Sequence, residues 1–103
     1  SGFAAAEVVL PCARLADTLE FFVETLGFRV AAIFPADGPR VAVVAGHGLR
    51  VRLEMGRTGD PGTLCLRCTG AVPAATVAPN GTRIEFMAAE PDVVVPPLRS
   101  ALG

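Results

Sequence analysis

Three stretches of the chain alternate strictly between apolar and polar residues, the period of a strand with one buried face. In Leu49–Met55 the apolar set is Leu49, Val51, Leu53 and Met55, against Arg50, Arg52 and Glu54. Thr63–Cys68 sets Leu64 and Leu66 against Thr63, Cys65 and Arg67, and Thr82–Met87 sets Ile84 and Phe86 against Arg83 and Glu85. Glu7–Cys12, Phe28–Phe34 and Val41–Ala45 are short and rich in apolar or β-branched residues, and they read as further strands. One stretch has a different period. Leu15, Leu19, Phe22 and Leu26 recur at i, i+4, i+7 and i+11, a single helical stripe with Gly27 placed to end it. Asp17 and Glu20 have the spacing of a capping box, which predicts an acidic helix start.

The breaks between these segments are turn compositions, Pro35-Ala36-Asp37-Gly38-Pro39 and Gly46-His47-Gly48. The order through Met55 is therefore β-α-β-β-β. Ala71–Pro79 contains two prolines and is too short for a packed helix. The tail from Glu90 carries Pro91, Pro96 and Pro97 and is expected to be extended. The fold class is α+β, a complete module over residues 7–55, a shortened second half of mostly strand over 62–88 and a tail over 89–103, all in one domain.

Composition narrows the partners. Of 103 residues 51% are apolar and 18% charged, too hydrophobic for disorder. A net charge of −1 gives nothing to recruit nucleic acid or an anionic membrane. No apolar run reaches the ~18 residues that span a bilayer. Three cysteines, Cys12, Cys65 and Cys68, make an odd count without a disulfide framework, and Cys65 and Cys68 fall on opposite faces of one strand. A reduced, cytoplasmic protein is the expectation.

Three stretches resemble the vicinal oxygen chelate superfamily, the glyoxalase/bleomycin resistance/dioxygenase fold. Glu7-Val-Val-Leu-Pro-Cys-Ala-Arg-Leu15 is similar to its opening strand and exit. Thr18-Leu-Glu-Phe-Phe-Val-Glu-Thr-Leu-Gly-Phe28 is similar to its helix, with the aromatic pair and the Leu-Gly-Phe ending. Ala78-Pro-Asn-Gly-Thr-Arg-Ile-Glu-Phe86 is similar to its late turn and final strand. The resemblance implies two paired βαβββ modules whose sheets curl around a small molecule. Here the second module lacks its helix, which would leave open sheet edges. A homodimer or a partner domain is therefore expected to complete the cleft. The opening and the 78–86 segment also resemble a glyoxalase-type domain found ahead of cupin domains.

The metal enzymes of the superfamily take ligands from cleft-facing strand positions. Carried over, Glu7 holds the opening-strand position, Glu54 a carboxylate position late in the fourth strand and Glu85 that of the final strand. Thr63 falls near the remaining position, where metal-binding members usually have His. Three carboxylates without an imidazole would suit Mg²⁺ or Mn²⁺ better than Zn²⁺ or Ni²⁺, with Fe²⁺ also among the superfamily's ions. The same faces carry Arg50, Arg52, Arg67 and Arg83, enough to neutralise the glutamates and to repel a dication. His47, between two glycines, is first a turn residue, and the cysteines are first small hydrophobes.

Three functions follow from these residues and the resemblance. The first is a small-molecule-binding domain with no metal cofactor, which sequesters or senses an anionic ligand through Arg50, Arg52, Arg67 and Arg83. The second is a metal-dependent lyase, isomerase or dioxygenase using Glu7, Glu54 and Glu85. The third is a non-catalytic dimerisation or regulatory module accompanying another domain.

Overall fold

A computed structural model describes residues 2–90, so the tail beyond Glu90 and its expected extension lie outside the described residues. The elements are β1 (Val8–Pro11), α1 (Leu15–Glu20), β2 (Arg29–Phe34), β3 (Val41–Gly46), β4 (Leu49–Glu54), β5 (Thr63–Cys68), β6 (Thr76–Val77) and β7 (Arg83–Ala88). The first sheet has the order β1-β4-β3-β2, with β1 parallel to β4 and the other pairs antiparallel. This is the β-α-β-β-β module read from the sequence. The second sheet has the order β5-β7-β6, with β5 parallel to β7. Among the described residues it holds three strands where alternation predicted two. The extra one, Thr76–Val77, is two residues long and is made by pairing with β7, not by any period of its own.

The helix lies on one face of the first sheet, packed over β3 and β4. It begins at Leu15 with Arg14 at its N-cap and no side-chain cap, so the expected capping box does not form. Asp17 instead pairs with Arg14, one turn back. The helix then widens into a π-turn over Phe21–Thr25, where the Leu26 N–H reaches the Phe21 carbonyl and the Phe28 N–H reaches that of Phe22. Widening adds a residue to the turn. It ends at Gly27, whose φ of +77° supplies the left-handed residue expected there.

The core joins both sheets to the helix. Phe22, Ala42, Val44, Val51, Leu53 and Ile84 are fully enclosed, and Leu10, Cys12, Leu15, Leu26 and Phe28 surround them. Ile84 comes from β7, so the two halves share one apolar interior. The other core-facing residues of the second sheet, Leu64, Leu66 and Phe86, are only partly buried.

Candidate functional site

The face of the first sheet opposite the helix is the open one, and its residues follow from register. Arg29, Ala45 and Arg50 form one cross-strand row, Ala32, Val43 and Arg52 the next, and Phe34, Val41 and Glu54 the third. Glu7 stands on this face beside Arg50, whose Nε and Nη2 both donate to Glu7 Oε2 at 3.3 Å. Arg52 Nη1 lies 3.9 Å from Glu7 Oε1, and Arg52 Nε donates to Glu54 Oε2 at 2.8 Å. Arg57 closes the series, donating to Glu54 Oε1 at 3.2 Å. The result is one ladder, Arg50–Glu7–Arg52–Glu54–Arg57, with three cations to two anions.

An apolar floor runs beside the ladder. The Arg52 guanidinium sits 4.9 Å from the centre of the Phe34 ring, a cation–π contact. Val43 belongs to the same row as Arg52 and is only 2% exposed. The Arg52 hydrogen bond holds Glu54 below the ordinary carboxylate range against the opposing effect of burial, and Arg57 adds to the lowering.

On the second sheet the predicted residues are also paired. Arg83 Nε donates to Glu85 Oε2 at 2.9 Å, and Arg67 reaches the Ala88 carbonyl at 3.3 Å and Glu90 at 3.2 Å. Glu7 and Glu54 share the open face of the first sheet, and Glu85 belongs to the second. Each carboxylate accepts from a guanidinium. Among the described residues no group of three His, Cys, Asp or Glu side chains converges as a metal would require. The three glutamates therefore do not fit a divalent ion: their lone pairs face arginine, and the arginines repel a second positive charge.

His47 is a turn residue, as expected, but it has partners that the sequence did not reveal. It and Gly48 both take positive φ (53° and 79°), the two-residue type I′ hairpin between β3 and β4. The hairpin carries the imidazole onto the end of the π-turn, where Nε2 lies 2.7 Å from the Leu26 carbonyl oxygen and donates to it. The ring also stands edge-on to Phe28, with centroids 5.1 Å apart. His47, Leu26 and Phe28 then form one wall of a hollow of about 340 Å³, with Leu64, Leu66 and Phe86 of the second sheet opposite. Cys65 is exposed, Cys68 half-buried and Cys12 buried, all three as free thiols.

A residue missed from sequence is Arg29, which opens β2. Its place on the open face depends on the register of β2 against β3, and a bulge between Val30 and Ala32 obscures the alternation.

Comparison of the fold with solved structures gives consistent neighbours. The chain is similar to the bleomycin-binding protein of bleomycin-producing Streptomyces verticillus, solved with copper(II)-bleomycin, at a TM-score of 0.57 and 20% identity over 87% of this chain and 99% of that one. It is similar to TnmS3, an antibiotic-binding protein from Streptomyces sp. CB03234, at a TM-score of 0.62 and 18% identity over 87% and 99% of the two chains. A possible glyoxalase from Bacillus cereus matches at a TM-score of 0.65 and 16% identity, over 84% of this chain and all of that one. No protein-family model and no curated protein matches the sequence.

Proposed function

On this fold, that of the glyoxalase/bleomycin resistance/dioxygenase proteins of the vicinal oxygen chelate type, we propose a small-molecule-binding protein that works without a metal. The ligand lies on the open face of the first sheet, and a second copy of the chain closes over it. The observation that carries this reading is the pair of β4 arginines, Arg50 and Arg52, in their ladder with Glu7 and Glu54 beside the apolar Phe34 and Val41. A charged rail along an apolar surface is the composition of a small-molecule site, where apolar contact gives affinity and a few polar groups give orientation. That two fold neighbours are a bleomycin-binding and an antibiotic-binding protein supports the same reading.

The need for a second copy rests on edges. β2 is an outer strand, and Val30, Ile33 and Phe34 on it are 45%, 40% and 38% exposed. An uncovered apolar edge strand invites pairing.

Thermal unfolding across a ligand panel tests the binding. A true ligand at 100 times its Kd adds about 2.7 kcal/mol of stability by mass action. Stabilisation by at least one compound, lost in Arg52→Ala, is the expected result. No stabilisation by any compound, with a dimer still present by sedimentation, would turn the reading to a non-catalytic dimerisation module.

A further inference from the structure

One end of the open face is electrically different from the rest. Arg29 and Arg50 flank Ala45 in a single cross-strand row, on strands two places apart in the sheet. At ~4.8 Å per strand their backbones stand roughly 10 Å apart, close enough for two long side chains to meet over the methyl group between them. Both line an open hollow of about 410 Å³ with the Gly46–Leu49 hairpin and Ala5 and Ala6 of the leading segment. No carboxylate lines it among the described residues.

The pairing of the two arginines is unequal. Arg50 gives two of its donors to Glu7, and Glu7 is shared with Arg52. Arg29 has no ion pair or side-chain hydrogen bond among the described residues, so all five of its N–H donors remain available. We infer that this end of the face is an oxyanion site, at which Arg29 and Arg50 together grip a carboxylate or phosphate group of the ligand. A guanidinium presents two parallel N–H groups to such a head group, and two guanidinia from opposite sides hold it in charge and direction. Ala45 is the small residue that leaves room between them. Any longer side chain there would occupy the space over which the arginines converge.

This site presupposes the ligand-binding face proposed above, and separate experiments distinguish the two. Titration calorimetry of the intact protein with inorganic phosphate and with benzoate, at low ionic strength, is the direct test. Saturable binding of one anion is expected, and which of the two binds identifies the head group. Arg29→Gln should weaken it about tenfold or more, the loss of a charge-assisted pair. Arg57→Gln, at the far end of the ladder, should change it less than about twofold, since Arg57 does not line the hollow. Ala45→Leu should block binding while leaving Arg29 in place. Failure of both anions to bind, or equal affinity in Arg29→Gln and Arg57→Gln, would overturn the oxyanion site. If a panel compound meanwhile stabilises the protein and loses its effect in Arg52→Ala but not in Arg29→Gln, the face still binds ligand and only the Arg29–Arg50 grip is wrong.

Discussion

The side-chain amide of Asn80 donates to the Pro11 carbonyl oxygen at 2.9 Å, across 69 residues of chain. The same nitrogen donates to Thr82 Oγ1 at 2.8 Å, and that hydroxyl donates on to the Pro61 carbonyl at 2.7 Å. One amide thus fastens the end of β1 to the turn before β7 and, through Thr82, to the approach to β5. Asn80→Ala removes the donor and leaves a carbonyl and an enclosed hydroxyl short of partners, at a cost of about 2–3 kcal/mol. Asn80→Asp should be no better, because its acceptor oxygens face the Pro11 carbonyl. Urea unfolding measures both, and wild-type stability in either variant would show the amide bridge to be idle.

Thr18 has the opposite problem. Its side chain is wholly enclosed beneath the helix, yet Oγ1 has no hydrogen-bond partner among the described residues. Replacing an unsatisfied hydroxyl with a methyl group of the same shape should stabilise the fold, so Thr18→Val is expected to gain about 1 kcal/mol. A Thr18→Val variant that melts lower than wild type would mean that Oγ1 is satisfied after all.

The Glu54 carboxylate carries a pH dependence with a definite sign. Its folded-state pKa is lowered, first by the Arg52 hydrogen bond, so its contribution to stability is present above the ordinary carboxylate pKa. That contribution is lost as pH falls through the ordinary value and on through the lower folded one. Arg52→Gln should bring the Glu54 titration back toward the ordinary range and flatten this part of the acid-stability curve. Carboxyl ¹³C shifts followed against pH report it directly; an unmoved midpoint in Arg52→Gln would assign the lowering to Arg57.

His47 combines backbone and side-chain demands that two substitutions separate. Asparagine tolerates φ near +53° but cannot reach Leu26 as the imidazole does, so His47→Asn should lose one hydrogen bond, about 1 kcal/mol. His47→Ala loses the bond and also adopts an unfavourable backbone conformation, a further cost of about 1 kcal/mol. Equal stability of the two variants would remove the backbone from the account.

Much of this architecture is legible along the chain because local period and burial agree. The alternation in Leu49–Met55 placed Val51 and Leu53 in the core, and both are fully buried. The same alternation put Arg50, Arg52 and Glu54 on one face, from which the ladder follows. What escaped depends on contacts between distant residues. The π-turn adds a residue that no apolar spacing announces, and β6 exists only through its partner. Arg29 is hidden by a bulge, and the Leu26 partner of His47 is 21 residues away in sequence. A run can suggest which side of a strand is wet, but not which other strand arrives beside it.

The half-covered second sheet divides the molecule into two depths of protection. Val44, Val51 and Leu53 lie between strand and helix, whereas Leu64, Leu66 and Phe86 border a hollow. Amides of β3 and β4 should exchange with solvent deuterium only when the whole domain unfolds. Those of β5 and β7 should exchange sooner, through an opening that releases the second sheet and leaves the first intact. The chain would then breathe from its C-terminal half, while the rail of arginines on the first sheet keeps its shape.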